Sequence, residues 1–291
     1  MIAAITFTAC GSDEDEPSNN ATANANANTT DNDMPEAVKR LEFPKVKGGN
    51  SIILVHEAVL NSKTGERGVN YCVEYDCAKR SQRWSCYQMY ASINATNTSR
   101  YRSDDNQYPQ DPLIPSEYQF PEDPFWYTGY DHGHICPSAD RLGSYEANKQ
   151  TFYLSNMQPQ VNGFNAQVWA NMEIQLRTWN RNDFRDTLYV CKGGTIDSDD
   201  LIITTTKKGL IIPKYFFMAI LCKNSLGYKA LGFWIEHKVN NDTDLSKYVV
   251  SIDDLELKTG IDFFCNLPDE IENRIEALPV ENIKRAWGFG N

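Results

Sequence analysis

The sequence predicts a mixed α+β fold, with mixed or antiparallel sheets packed around one central helix. Three observations predict it. Stretches rich in β-branched and aromatic residues, bounded by turn signals, cluster early and late in the chain. One helix-like segment, residues 165–179, lies between the clusters. Apolar residues make up 41% of the 291 positions, which suits a sizeable core, and no apolar run approaches the roughly 20 residues of a membrane span.

In chain order, residues 51–59, 68–74 and 84–91 read as strands. Residues 94–117 are polar and proline-bearing and read as a long loop, which in a compact domain is usually functional; it contains Arg100 and Arg102. The apolar run at 151–154 reads as a strand and 165–179 as the central helix. Further strands are expected at 188–192, 215–222, 228–235 and 248–251. Short helices are expected at 252–259, with Ser251 or Asp253 as N-cap and Gly260 as stop, and at 269–278.

The N-terminus reads as the end of an export signal, residues 1–9, and Phe7-Thr8-Ala9-Cys10 resembles a bacterial lipoprotein processing box. That resemblance implies cleavage before Cys10 and a lipid on its sulfur. Residues 10–34 then form an acidic and disordered tether, and residues 35–291 the folded domain. The expected location is the outer membrane of a bacterium, lipid-anchored and surface-exposed. Eight cysteines suit an exported protein. Cys72 and Cys77 are placed to close a small loop and Cys222 and Cys265 to staple the C-terminal half, while Cys136 reads as a buried thiol.

Net charge is −11, and six acidic residues within 1–34 leave −5 on the remainder. This excludes a wide basic footprint, so a polyanion would have to be gripped locally.

The chemistry concentrates in residues 130–177. Asp131-His132-Gly133-His134 places two of the four histidines beside a carboxylate and a glycine. A neutral imidazole is the expected general base near neutral pH, and Asp131 is near enough in sequence to orient it. Gly133 permits a close backbone approach. On the helix, at about 100° per residue, Asn165 and Glu173 differ by roughly 80° and Arg177 lies roughly 40° further, so all three share one side. Without more, Glu173 and Arg177 would equally make a surface i, i+4 ion pair.

These residues, with Pro137 and Asp140-Arg141 following, resemble the D-R-G-H signature of the DNA/RNA non-specific endonucleases, the ββα-metal nucleases. Matches continue through 152–157, Gln160, Phe164-Asn165, 169–173 and Arg177, and the similarity covers roughly residues 50–278. The resemblance implies a ββα-metal nuclease fold with a central catalytic helix. His134 takes the place of the general base, Asn165 of the ligand to one divalent ion, and Glu173 of a carboxylate holding metal-bound water. Asn156 matches an active-site asparagine, Asp131 the leading acid of the signature, and Arg177 a phosphate-binding arginine. Arg102 falls where the family has a second phosphate-contacting arginine.

Two positions depart from the pattern. His132 replaces the signature arginine, and Met218 occupies a strand position where relatives often carry lysine. If His132 faces the substrate, its contribution to binding would be pH-dependent. The expected activity is sugar-non-specific, divalent-metal-dependent hydrolysis of phosphodiester bonds in DNA and RNA. Mg²⁺ (or Mn²⁺) is the implied cofactor, one ion per site, and the products carry 5′-phosphates. Two other readings stand beside it: a catalytically weak nucleic-acid-binding surface lipoprotein, and a phosphodiesterase for another exported phosphoester. Oligomeric state is left open.

Overall fold

The computed structural model describes residues 26–30 and 34–289. The expected signal remnant, the lipidation site Cys10 and most of the tether lie outside the described residues. Asn28, assigned to the tether by the sequence reading, is docked on the domain: its side chain donates to the carbonyls of Val38 and Pro44.

A seven-stranded antiparallel sheet forms the frame, in the order β1-β2-β3-β6-β9-β10-β11. Its first three strands are β1 (Ser51–Asn61), β2 (Glu66–Asp76) and β3 (Ser81–Tyr90). Two short strands follow outside it, β4 (Asp131–His134) and β5 (Met157–Gln160), paired antiparallel to each other. The large sheet resumes with β6 (Thr187–Gly194). A second ribbon joins β7 (Ile202–Thr205) to β8 (Ile211–Pro213). Strands β9 (Tyr215–Asn224), β10 (Gly227–Glu236) and β11 (Val249–Val250) complete the large sheet.

The helices are α1 (Tyr145–Gln150), α2 (Asn162–Phe164), α3 (Ala170–Trp179), α4 (Ile252–Thr259), α5 (Asp269–Glu276) and α6 (Val280–Trp287). Side chains alternate across a strand, and both faces of the sheet are covered. On one face Tyr87, Val190, Met218 and Ile220 pack against Trp169, Met172, Leu176 and Trp179 of the central helix and against Trp287 of α6. On the other, Cys72, Trp84, Cys191 and Phe217 pack against Ile252 and Leu255 of α4 and Ile275 of α5. Double coverage explains why strands such as β9 are almost continuously apolar.

The α+β class with antiparallel sheets is as the sequence predicts, and so is α4, where Ser251 Oγ accepts from Asp254 N–H at 3.1 Å and Gly260 stops the helix at φ 69°. The expected strand at 151–154 is absent. Phe152 is buried but its neighbours form turns, and the pairing strand is the polar segment Met157–Gln160. Enrichment in aromatic residues pointed one step too early, because β5 is held by its buried glutamines: Gln158 Nε2 donates to the carbonyls of Gln82 and Gly194.

The expected disulfides are also absent. No disulfide joins any two of the seven described cysteines, all of which are buried. Cys72 and Cys77 are an odd number of residues apart, so they face opposite sides of the sheet. Cys222 likewise faces the central helix, whereas Cys265 lies beside the Phe43 carbonyl on the other side. Cys136 is the buried thiol expected, with burial pushing its pKa to about 12.

Candidate active site

Strands β4 and β5 and the segment α2–α3 follow one another as β, β and α, and they build the site. The register sets Gly133 opposite Gln158 and His134 opposite Met157. A Cβ at Gly133 would come within 2.4 Å of the Gln160 side chain, so only glycine fits this close approach. The helix enters through a π-helical turn, Asn165–Trp169, between α2 and α3. Its register is held from outside, because Val168 N–H donates to the Asn240 carbonyl at 3.2 Å. A π turn departs from 100° per residue, so the angular spacing expected from an ideal helix does not hold at Asn165. Such turns are frequent at functional sites.

Between these elements is a cavity of about 410 Å³ whose wall includes Arg100, Tyr108, Asp131, His132, His134, Asn165 and Glu173. His134 Nε2 is buried with no hydrogen-bond partner, while the ring is also bonded to the His132 backbone. Burial, and then the positive charge of Arg100, lower the His134 pKa to about 3. The imidazole is therefore neutral with an uncommitted nitrogen. Phe152 braces it edge-on at 4.8 Å.

Asp131 does not orient His134. Its Oδ2 accepts from Asn165 Nδ2 at 3.0 Å and from Asn162 Nδ2 at 2.9 Å. Asp131 thus fixes the Asn165 amide and leaves its oxygen for another partner. Glu173 Oε1 is 3.1 Å from Nζ of Lys192, a fully buried lysine on β6 that also sits 4.8 Å from the Trp169 ring centre. Burial raises the Glu173 pKa against the pull of Lys192.

The other expected site residues lie elsewhere. Asn156 is buried behind β4: it accepts from Cys136 N–H at 2.8 Å and donates to the carbonyls of Cys136 and Thr151. Those bonds use the side chain to hold the segment after His134, away from the cavity. Arg177 donates to Asp140 Oδ1 at 3.0 Å and lines a second, smaller hollow with Asn94, Arg141 and Asn180. The two hollows meet at Ala139. Arg102 is exposed and lines neither, whereas Arg100, two residues earlier, lines the cavity with its guanidinium 4.7 Å over Phe152.

His132 is not presented as a free cation. Its ring is sandwiched between Tyr108, 3.6 Å away and parallel within 2°, and Phe125 at 4.1 Å, and its Nε2 is 2.9 Å from Asp123. Met218 is fully buried, and its cross-strand partner is Lys192. The charge that seemed missing at Met218 is supplied one strand away. Sequence reasoning missed Lys192, although its alternation with Leu188 and Val190 put a lysine on a core-facing position.

Residues 58–270 match the family model described as DNA/RNA non-specific endonuclease. Nuclease C1 of Cunninghamella echinulata is 27% identical, over 68% of this chain and 81% of its own length. A nuclease of a Nostoc species is 28% identical, over 71% and 75%. Among solved structures, a chain of the EndoG/EndoGI complex, described as showing the mechanism of EndoG inhibition, superposes with a TM-score of 0.59 at 25% identity, covering 69% of this chain and 85% of that one.

Proposed function

The chain belongs to the DNA/RNA non-specific endonuclease family and is a nucleic-acid hydrolase, and from that premise we propose that it cleaves phosphodiester bonds of DNA and RNA with a divalent cation and with His134 as general base. The observation that carries this reading is the buried, unpartnered Nε2 of a neutral His134 in the same cavity wall as Asn165 and Glu173.

The donor set fits a hard cation, because the Asn165 amide nitrogen is already taken by Asp131 and its oxygen is the ligand atom left over. Asn165, with Glu173 through water, would hold Mg²⁺ or Mn²⁺, which would supply positive charge for the phosphate oxygens. His134 accepts the proton of the attacking water. Its low pKa keeps it in the accepting form at every working pH, at the cost of basic strength. Arg100 faces the reacting phosphate from the cavity wall. Arg177 in the adjoining hollow grips a neighbouring phosphate, while Arg141 beside it donates to the carbonyls of Asn70, Gln88 and Asp140; with contacts to backbone phosphate alone there is little sequence preference. Asp131, Asn156 and His132 act as positioning residues in this scheme, and Arg102 has no contact that assigns it a role.

The reading as a catalytically weak binder rested on charge lost at His132 and Met218. Arg100 returns positive charge to the cavity wall, and the buried Lys192 answers Glu173, which removes that ground. Attachment to a bacterial outer-membrane surface through lipid on Cys10 remains part of the proposal; loss of membrane association in Cys10→Ala tests it. The activity is tested by plasmid nicking and RNA degradation after chelation. Cleavage should vanish in EDTA and return with excess Mg²⁺ or Mn²⁺, and full activity after exhaustive chelation would reject the metal.

A further inference from the structure

On the sheet face opposite the cavity, α4 and α5 bring carboxylates together. Asp253 and Glu256 lie three residues apart on α4, one turn of one helix face. Glu276 ends α5. Ligand oxygens of these three lie within 4.8 Å of one another. Glu276 is only 6% exposed, and its Oε1 has no hydrogen-bond partner. One turn earlier on α5, Glu272 is equally buried and its Oε1 is equally unpartnered. Glu256 Oε1 accepts from Phe263 N–H at 2.7 Å, which pins that carboxylate in place.

Unpartnered buried carboxylates are costly, and proteins relieve them by protonation or by a cation. Burial pushes Glu256 to about 8 and Glu276 to about 9. The charges acting most strongly on Glu276 come from Glu256, Glu272, Asp253 and Asp262, all negative. Among the described residues no lysine or arginine pairs with Glu276 as Lys192 does with Glu173.

We propose that Asp253, Glu256 and Glu276 form a calcium site that clamps α5 to α4, separate from the catalytic cavity. The chemistry selects the ion. The donors are oxygen only, with no thiolate or imidazole among them, which favours a hard cation. Oxygens no more than 4.8 Å apart let one ion touch all three carboxylates, and an irregular all-carboxylate set suits calcium's larger and more flexible shell better than magnesium's strict octahedron. Exposed Asp253 opens the cluster to solvent, where water completes the shell.

The test uses the full chain carrying Asn165→Ala, so that the catalytic ligand is gone, stripped with chelator and titrated with CaCl₂ by calorimetry. One Ca²⁺ per chain should bind, and the melting temperature should rise by on the order of 5 °C when calcium is about 100-fold above its Kd. Adding Glu276→Gln should abolish both the heat and the rise, and should raise the melting temperature near neutral pH without calcium, since the folded state no longer has to hold a proton on a buried carboxyl that the unfolded chain releases. Glu276→Gln in the otherwise native chain should still nick plasmid with Mg²⁺. If that variant does not fold, Asp253→Asn at the exposed ligand should weaken calcium binding at least tenfold. Absence of binding in the Asn165→Ala protein, an unchanged rise in the carboxylate variants, or an equal rise with Mg²⁺ would each overturn the assignment.

Discussion

His134 Nε2 and Glu276 Oε1 are both buried atoms without a partner, and they lie on opposite faces of the large sheet. Their surroundings differ. Arg100 in the cavity wall and the fully buried Lys192 stand beside His134 and Glu173, so the imidazole is held neutral and the carboxylate is ion-paired. Behind the sheet Glu256, Glu272 and Glu276 face one another with acids nearby, so protons are retained. The difference separates the two proposals: a cavity with cations in or behind its wall for a proton and a polyanion, and an all-carboxylate cluster for a cation.

The largest expected effect is at the proton acceptor. His134→Ala should reduce kcat by about 10² to 10⁴ while Mg²⁺ still protects the fold against heat. Wild-type turnover in a well-folded variant would remove His134 from the chemistry and leave the cavity as a binding site only.

Next is the cation that separates the two regions. Lys192 is fully buried, and removing one member of a buried ion pair costs about 3–5 kcal/mol. Lys192→Met should destabilise by that amount in thermal unfolding and weaken hydrolysis by freeing Glu173. Because Met218 is its direct cross-strand partner on the same face, Met218→Lys in the Lys192→Met background should recover most of the loss. Failure of that exchange would mean that the lysine serves its own strand position more than Glu173.

Much of this was legible in the sequence, and the reasons for the rest are specific. The large strands announce themselves because both faces are buried, and α4 because its cap and its stop are local. His134, Asn165, Glu173 and Asp131 do meet in one cavity. The ribbon of β4 and β5 was opaque, since its residues are polar and its stability comes from glutamines bonded to strands far away in sequence. The π turn depends on a carbonyl at Asn240 that no local pattern reveals. Arg100 and Arg102 are equivalent by composition, and only the path of the loop decides which one faces the cavity. Asn156 matches a motif position by resemblance, yet most of its side-chain bonds go to backbone.

The pH dependence of stability sharpens the comparison with a smaller effect. His134 has a folded pKa of about 3, below its ordinary 6.5, so below pH 6.5 the unfolded chain binds the extra proton and stability falls as pH drops toward 3. Glu256 and Glu276 are shifted up from 4.5 to about 8 and about 9, so their contribution is complete below 4.5 and is lost as pH rises through those values. In chelator, denaturant midpoints should therefore decline on both sides of an intermediate pH. His134→Ala should flatten the acid side alone and Glu276→Gln the alkaline side alone. A variant that flattened the other limb would show that the two regions are coupled.

The smallest effect is expected at His132, where the sequence alone suggested the most. The ring is stacked between Tyr108 and Phe125 and ends on Asp123. A guanidinium is also planar, stacks on aromatic faces and takes a carboxylate bidentately, so arginine suits the same slot. Its added charge would be answered by Asp123 before any phosphate. His132→Arg should leave the pH dependence of kcat/KM unchanged and change stability by about 1 kcal/mol or less, as for a substitution whose contacts are kept. The slope of log KM against log salt should also stay within a fraction of one phosphate contact. Measuring KM between about 50 and 200 mM salt at several pH values decides it. A slope steeper by about 0.7–0.9 would mean that the side chain leaves the sandwich for the substrate. Positive charge would then extend from Arg100 along β4, and the histidine found there would be a tuned weakening of substrate grip.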